Sequence, residues 1–394
     1  MRYDAIVIGA GPAGSTAALL LARAGWSIAI VEKSRFPRRK VCGEFISATS
    51  MPLLRELGVL DNFLHQAGPE VRRVGLFAKD ATLSAPMPQP ANAIAKRGRA
   101  LGREHLDGLL LQAAQDAGAN VWQPWKASAL CRARHDIVCT IEAAKKSDEL
   151  VAPLIIAAHG SWENGSLPTQ TAASHRLADL LGFKAHFTNS DLPADLMPLL
   201  AFPGGYGGMV HIDGGRVSLS CCIRRDTLQQ CRSGSVHGRA SEATLRHIQS
   251  SCAGVRHALK RATLDQSWLS AGPIRPGIRD RYSDGIFRVG NCAGEAHPIV
   301  AEGISMAMQS AALLCRLLIA GKAAGHQPTE IGSRYTAEWD QLFAPRIRAS
   351  SLFATLAMSS SAAGLGLPLM KSFPGLLTFG AHLSGKTNQA YAET

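Results

Sequence analysis

The chain is poor in aromatic and acidic residues and has no long uninterrupted apolar run. Aromatic residues make up 6% of its 394 residues and are not interleaved with basic ones, so the stacking surface of a single-stranded nucleic-acid binder is not expected. A membrane-spanning helix needs about 20 continuous apolar residues. The most apolar segment, 349–385, is interrupted by serines, glycines, Pro368 and Pro374, so it is not expected to span a membrane.

The nine cysteines lack the spacing of a metal site. Cys221 and Cys222 are adjacent in a predicted strand and cannot easily bridge each other. Free thiols in a reducing compartment, and no bound metal, are therefore expected. The first apolar segment is predicted to be a strand of the fold rather than a signal peptide, which favours a cytoplasmic protein.

Basic residues outnumber acidic ones by 42 to 30, which gives a formal net charge of +12. The densest cluster lies at 33–40, where Lys33 and Lys40 flank three arginines. A basic balance attracts nucleic acid, anionic membranes or acidic ligands. Because no nucleic-acid-binding module is recognisable, we expect no nucleic-acid partner. An anionic cofactor, or a carrier-bound substrate such as an acyl thioester, is more plausible.

The first 33 residues form the most informative motif. The predicted elements are a strand at 3–8, a helix of small residues at 15–24 and a second strand at 26–31. Gly9, Gly11 and Gly14 form a G-x-G-x-x-G turn between strand and helix, and Glu32 follows the second strand. In such a unit the glycines allow a tight turn, close approach of a pyrophosphate and close helix packing. The sequence therefore predicts a dinucleotide site in which Glu32 binds ribose hydroxyls.

Three further segments carry recognisable patterns. Residues 285–290 are predicted as a strand, and Asn291 begins a turn that reaches Pro298 before a Glu-Gly-Ile sequence and a predicted helix at 305–319. A second predicted helix, 103–117, begins Arg-Glu-His-Leu-Asp-Gly-Leu-Leu. The third segment, 40–47, reads Lys-Val-Cys-Gly-Glu-Phe-Ile-Ser.

These motifs, taken in order, resemble those of the flavoprotein monooxygenase and geranylgeranyl-reductase superfamily, the p-hydroxybenzoate-hydroxylase-like flavoproteins. In that family two fingerprints hold FAD, an arginine-bearing helix reaches it, and a Lys-x-Cys-Gly segment of the reductase branch lies beside the isoalloxazine ring. The resemblance therefore implies FAD as the cofactor. The cofactor-binding residues that it implies are Gly9, Gly11, Pro12, Ala13, Gly14, Glu32, Lys33, Cys42, Gly43, Arg103, Asn291, Pro298, Gly303 and Ile304.

The resemblance also implies an α/β fold. We expect an FAD-binding, Rossmann-like domain of the glutathione-reductase type, an inserted β-rich substrate domain and a C-terminal helical segment. The expected ranges are 1–70, 100–180 and 270–330 for the FAD-binding domain, 71–99 and 181–269 for the substrate domain, and 331–394 for the helical region. The apolar C-terminal segment is expected to cap a hydrophobic substrate channel, with peripheral membrane contact or contact with a second copy as alternatives.

Several positions depart from the family pattern. His159 replaces the acid of a middle motif that helps to bind the nicotinamide reductant, so direct use of NAD(P)H is in doubt and a separate flavin reductase is the alternative. Asn291 replaces an aspartate, but its side-chain oxygen can still accept a hydrogen bond from a ribityl hydroxyl. In the substrate-side strand, Gly208 and His211 stand where relatives carry Trp and Pro. His211 is expected either at the flavin–substrate interface, where an imidazole can transfer a proton, or facing solvent.

The favoured function is an FAD-dependent monooxygenase that acts on a hydrophobic or aromatic small molecule through a flavin C4a-hydroperoxide. Its expected proton handlers are His211, His297 and Glu44. A flavin-dependent C=C reductase of the geranylgeranyl type is the alternative. A halogenase or a non-catalytic FAD-binding protein is less favoured, because Lys79, the nearest candidate for a halogenase lysine, is interpreted as a surface residue. The sequence leaves substrate identity and oligomeric state open.

Overall fold

A computed structural model describes residues 1–90, 95–163, 165–170, 174–233 and 239–386. The end of the predicted C-terminal region, 387–394, lies outside the described residues. The strands are β1 (Ala5–Ile8), β2 (Ile28–Val31), β3 (Phe45–Ile46), β4 (Arg73–Ala78), β5 (Ala81–Pro86), β6 (Arg99–Ala100), β7 (Asn120–Trp122), β8 (Lys126–Ala133), β9 (Asp136–Ala143), β10 (Lys146–Ala152), β11 (Leu154–Ala157), β12 (Leu180–Thr188), β13 (Leu196–Phe202), β14 (Gly205–His211), β15 (Val217–Arg224), β16 (Thr263–Leu264), β17 (Leu269–Ile274), β18 (Gly277–Ile278), β19 (Tyr282–Ser283), β20 (Ile286–Arg288) and β21 (Gly294–Glu295). The α-helices are α1 (Pro12–Arg23), α2 (Met51–Glu56), α3 (Leu60–Gln66), α4 (Arg103–Asp116), α5 (Arg225–Ser233), α6 (Ala240–Ser251), α7 (Ala253–Ala258), α8 (Gly303–Ala324), α9 (Pro328–Met358), α10 (Ser360–Ser372) and α11 (Gly375–Ala381).

A six-stranded sheet in the order β19-β20-β11-β1-β2-β7 carries the first turn at its centre. Strands β1, β2 and β11 are parallel and buried along their whole length, because their apolar runs are covered on both faces. Helices α1, α4 and α8 pack on one face, and the antiparallel sheet β10-β9-β8 covers the other. Since parallel strands end at the same edge of a sheet, the loops after β1, β2, β11 and β20 converge there.

An eight-stranded, mainly antiparallel sheet forms a second layer. Its order is β16-β12-β15-β14-β13-β4-β5, and β17 also pairs with β12. Side chains alternate between its two faces. On β15, Leu219 and Cys221 pack into a core with Ile248 of α6 and Val255 of α7. Cys222 packs on the opposite side, in the core that contains α1 and α8, so this second face is directed at the first layer.

The long C-terminal helices close the junction between the layers. Among the described residues, α8 is the one helix long and apolar enough to cross a membrane, but 78% of its most apolar window is buried inside the molecule. Helix α9 begins with a capping box between Gln327 and Glu330 and buries Tyr335 and Trp339 in the core. Helix α11 packs against the core of the eight-stranded sheet.

The α/β fold class is confirmed, whereas the domain boundaries stay a prediction. Pro153 separates β10 from β11. Proline has no N–H for a strand ladder, so the chain leaves the antiparallel sheet there and enters the parallel one. The predicted helix at 305–319 lies within the longer α8.

Candidate functional site

Three glycines shape the turn between β1 and α1 in different ways. Gly9 has a φ of +103°, and a Cβ there would lie 2.8 Å from the Ala158 carbonyl oxygen. A Cβ at Gly14 would lie 1.9 Å from the Gly9 oxygen. At Gly11, a Cβ would meet only Nη2 of Arg103, at 3.8 Å. Gly9 and Gly14 therefore allow the backbone to pack, whereas Gly11 leaves open space before the helix.

This open space lies at the N-terminus of α1. Its first internal hydrogen bond runs from the Ser15 amide to the Gly11 oxygen at 2.9 Å. The amides of Ala13 and Gly14 consequently have no acceptor within the helix, and Pro12 has no amide proton. Free N–H groups and the helix dipole favour an anion at such a position. The turn therefore fits the diphosphate of a dinucleotide.

Glu32 follows β2 and is buried at the edge of the same turn. Its Oε2 accepts a hydrogen bond from the Ala10 amide (2.9 Å), and its Oε1 accepts one from the Ser34 amide (2.8 Å). These bonds fix the carboxylate and leave lone pairs for ribose hydroxyls. Lys33 is about half exposed and forms an ion pair with Glu163 at 2.7 Å.

A cavity of about 540 Å³ extends from this turn toward the start of α8. Its volume is in the range of about 300–1,000 Å³ typical of small-molecule and cofactor sites. The predicted site residues that line it are Gly9, Gly11, Pro12, Ala13, Glu32, Lys33, Cys42, Gly43, Glu44, Arg103, Asn291, His297, Pro298, Gly303 and Ile304. Gly14 lies behind the turn, and His211 is not among the lining residues.

Arg103 is a buried cation at the start of α4 that faces Gly11. Its Nε and Nη2 atoms donate to the two oxygens of Asp107, at 2.6 and 2.7 Å. Burial alone would lower the pKa of Arg103, but the charges and hydrogen bonds of Asp107 and Cys42 together raise it. The pair therefore holds a charged guanidinium in one orientation beside the place where a diphosphate fits.

Asn291 is oriented by a neighbouring acid that the motif match did not reveal. Its Nδ2 donates to Oε1 of Glu295 at 3.0 Å. The buried Glu295 also accepts hydrogen bonds from Ser161 Oγ (2.7 Å) and Trp162 Nε1 (3.0 Å). Burial raises the pKa of this carboxyl group. Because the amide nitrogen of Asn291 is engaged, its Oδ1 is the atom left to accept a hydrogen bond from a cofactor hydroxyl.

His159, which replaces the family acid, lines the cavity and pairs with a thiol. Its Nδ1 lies 3.6 Å from Sγ of Cys292, and its Nε2 lies 2.8 Å from Oγ1 of Thr169. Burial alone would lower the pKa of His159, but Cys292 raises it, and the imidazole in turn lowers the pKa of the buried Cys292 thiol. As expected from the sequence, all nine cysteines are free.

Glu44 is fully buried where the cavity meets the eight-stranded sheet. Its Oε1 accepts a hydrogen bond from the Arg103 amide (2.9 Å) and pairs with Lys184, and its Oε2 lies 2.9 Å from Nε2 of His186. Burial alone would raise the pKa of Glu44, but Lys184 and His186 lower it to about 2. At neutral pH the group has no proton to donate. The proton transfer expected of Glu44 stays a prediction, and in its ionised form the group can only accept a proton.

His297 also lines the cavity and contacts the sheet through Tyr206. The Tyr206 hydroxyl is 3.0 Å from Nδ1 of His297. Burial lowers the pKa of His297 to about 4 and raises the pKa of Tyr206 well above its usual value. Both side chains are therefore neutral at pH 7. Tyr206 is a residue that the motif comparison passed over, although it lies within the same strand motif.

The structure does not place His211 at the flavin–substrate interface. Tyr206 and His211 are five residues apart on β14, so they project from opposite faces of the sheet. Met209, which shares the face of His211, packs in the core away from the cavity. Nε2 of His211 lies 2.7 Å from the Leu192 carbonyl oxygen. Lys79 is exposed in the turn after β4, in agreement with its interpretation as a surface residue.

Curated relatives with similar sequences include enzymes and a receptor. Digeranylgeranylglycerophospholipid reductase 2 of Methanothermobacter thermautotrophicus is 24% identical, covering 90% of this chain and 87% of that protein. Conditioned medium factor receptor 1 of Dictyostelium discoideum is 26% identical over 80% of this chain. Menaquinone reductase of Mycolicibacterium smegmatis is 32% identical over 30% of this chain. These last two matches cover 63% and 28% of the relatives' own lengths, which is less than two thirds.

A solved structure shows the same fold, and a protein-family match gives the cofactor. The myxobacterial chondrochloren halogenase CndH superposes with a TM-score of 0.77 at 18% identity, covering 99% of this chain and 94% of that chain, which shows the shared fold. The family described as FAD binding domain matches residues 2–344. The glycine turn, the buried Arg103 and the oriented Asn291 fit that cofactor. The chain therefore belongs to the FAD-binding domain family.

Proposed function

We propose that this protein is an FAD-dependent oxidoreductase that saturates a C=C bond in a hydrophobic, isoprenoid-like chain. The observation that carries the proposal is the segment of Cys42, Gly43 and Glu44, which lines the cavity and is held against the sheet by Lys184 and His186. Its Lys-x-Cys-Gly pattern is similar to that of the reductase branch. The digeranylgeranyl lipid reductase, whose match covers nearly the whole chain, supports the same choice. The sequence by itself favoured hydroxylation.

In this proposal FAD, once bound and reduced, would supply the hydride for the alkene. The chain's own contribution is to position the reacting partners. The anion of Glu44 is fixed by one backbone amide and two buried side chains, so it anchors the adjoining Gly43 and Cys42 rigidly. A Cβ at Gly43 would lie 3.6 Å from Oγ of Ser220, which puts this segment in contact with the inner face of the sheet. A hydrophobic chain would enter along that contact.

The proton that completes saturation would come from the pair of His297 and Tyr206. With the pKa of His297 lowered to about 4, the imidazole is neutral. It would donate its N–H proton to the carbon next to the one that receives the hydride and take up the Tyr206 hydroxyl proton in exchange. The tyrosinate would then regain a proton from solvent before the next turnover. Such a relay avoids a buried cation before the reaction, which burial at this site disfavours. General acids of this type typically contribute about 10²–10⁴-fold to the rate.

A monooxygenase acting on a hydrophobic or aromatic molecule is a second candidate. It is favoured by the same neutral environment, because oxygen transfer also needs a water-poor site. The source of the electrons is also part of the proposal. The imidazole of His159 is engaged with Thr169 and Cys292, so we propose that the protein uses NAD(P)H only weakly and receives its electrons from a separate flavin reductase. We further propose that it works in the cytoplasm.

The two candidates differ in their need for oxygen. The FAD-loaded protein is reduced anaerobically with dithionite and mixed with an isoprenoid alkene such as geranylgeranyl diphosphate. Flavin reoxidation without oxygen, with a product heavier by two hydrogen atoms, is the expected result. A product that forms only after oxygen is admitted and carries one added oxygen atom would replace the proposal with monooxygenation. Rapid bleaching of the oxidised flavin by NADPH would contradict the proposed electron source.

A further inference from the structure

The C-terminal helices carry an outward-facing apolar surface. Of the exposed large hydrophobic residues in the described chain, seven fall between 352 and 383 and only four lie elsewhere. Those seven, called the tail patch below, are Leu352, Leu356, Leu369, Phe373, Leu376, Phe379 and Leu383. They lie on consecutive helices that contact one another. Concentrated apolar surface of this kind marks an interaction site, whereas single exposed leucines do not.

Helix α11 shows that these residues are exposed even though the C-terminal helices are packed against the rest of the protein. Its inner residues Leu377 and Ala381 are buried in the core of the eight-stranded sheet. The hydroxyl of Thr378 donates to the Pro86 carbonyl oxygen at 2.7 Å. Phe379, on the outer side, is nevertheless 57% exposed. A helix that is apolar on both faces, although one face is already packed, lacks the polar outer face of an ordinary surface helix.

A buried ion pair fixes the tail patch to the cavity. Nζ of Lys386, just beyond the patch, donates to the Val300 carbonyl oxygen (2.8 Å) and to Oε1 of Glu302 (2.9 Å). Both charged groups of the pair are almost fully buried. The adjoining Ala301 and Gly303 line the cavity. The patch is therefore held next to the end of the cavity where the substrate is expected.

The charges around the patch indicate which kind of partner it fits. No Asp or Glu occurs from 341 to 392, and Lys371 and Arg348 are exposed beside the apolar residues. Phe373, which is 62% exposed, lies two residues from Lys371 at the bend between α10 and α11. Two copies of the chain joined through this patch would bring like charges together without an acidic partner. An anionic bilayer offers both an apolar interior and negative headgroups.

We propose that the tail patch docks the protein peripherally onto an anionic lipid bilayer. Phenylalanine and leucine side chains enter the interface, and Lys371 and Arg348 contact the headgroups. The cavity then opens near a store of hydrophobic substrate. This docking stands apart from the proposed reduction, because it is measured on the FAD-loaded protein without substrate or turnover.

Vesicle flotation tests the docking directly. We expect the FAD-loaded protein to float with vesicles of phosphatidylcholine and phosphatidylglycerol in equal parts, and less with phosphatidylcholine alone. The double substitution Phe373→Asp and Phe379→Asp should reduce the bound fraction at least tenfold. The matched control is Leu177→Asp, because Leu177 is 65% exposed and lies outside the patch. Its flotation should equal that of the wild type.

Each contrary result overturns the proposal. Wild-type protein that stays unbound, or a control that loses as much binding as the double variant, contradicts docking through the patch. A wild-type dimer in solution that the double substitution converts to monomers makes the patch a subunit interface instead. Should the double variant lose its FAD or melt early, Phe373→Trp provides a second test. Added vesicles should shift its tryptophan emission to shorter wavelength relative to wild type, and an unchanged spectrum would refute insertion.

Discussion

Replacing Gly11 by valine separates cofactor binding from folding. Gly11 has φ −72° and ψ −177°, a conformation open to any residue. A Cβ there would meet only Arg103 Nη2, at 3.8 Å, so the apoprotein should fold normally. The valine methyl groups would instead occupy the space before α1. A diphosphate would be displaced from the amides of Ala13 and Gly14, and FAD should be lost while the protein remains folded.

The size of the effect follows from the hydrogen bonds that are lost. A hydrogen bond to a charged group contributes about 1.5–3 kcal/mol. Loss of two such bonds corresponds to about 3–6 kcal/mol, or roughly a 10²–10⁴-fold increase in the Kd for FAD. Gly14→Ala should behave differently, because its Cβ would lie 1.9 Å from the Gly9 oxygen and the turn itself cannot close.

Titration of the apoproteins with FAD, followed by flavin fluorescence, measures the Kd, and circular dichroism melting measures folding. Gly108→Val is the matched control, because a Cβ at this position in α4 meets nothing within 4 Å. It should bind FAD with wild-type affinity. A Gly11→Val protein with a Kd within threefold of wild type would refute the assignment of the turn. So would a Gly14→Ala protein that folds and binds normally.

Two further predictions concern the walls of the cavity. Burial, followed by the charge of Arg103, lowers the pKa of Lys40 to about 8, so its ammonium group is present at pH 7 and is lost above pH 8. The Kd for FAD should therefore rise from pH 8 upward, by at most about tenfold per pH unit. Lys40→Met should remove this pH dependence. A wild-type Kd that stays constant up to pH 9.5 in the same titration would contradict the prediction. Glu295→Ala should weaken FAD binding about ten- to a hundredfold, because it leaves the buried donors of Asn291 and Trp162 without a partner, which costs about 1–3 kcal/mol. Glu295→Gln retains an acceptor oxygen and should keep the Kd within about threefold. Equal losses in both Glu295 variants would show that acceptor geometry is not the cause.

The parts of the site that the sequence could predict are those with local causes. Gly9, Gly11 and Gly14 are set by one turn, and the acid after β2 is set by the length of a single strand–helix–strand unit. The roles of Glu295 and Lys184 could not be predicted in this way. Glu295 meets Ser161 across 134 positions of chain, and Lys184 meets Glu44 across 140. These contacts arise from the packing of two layers, which no local pattern of residues encodes.

His211 shows a different limit, because the strand was predicted and its face was not. The motif match located β14 on the substrate side, but matching residue types along a strand does not say which side chains point inward. Side chains alternate with a period of two, so residues an odd number of positions apart point in opposite directions. Tyr206 contacts His297. This contact fixes the inward set as Tyr206, Gly208 and Val210, and His211 must then point toward the other core. Gly208 belongs to the inward set, and a Cβ there would meet only the Pro198 oxygen at 3.5 Å. The space left by the missing tryptophan therefore lies on the same face as the Tyr206–His297 pair, so proton transfer to a substrate is expected from that pair.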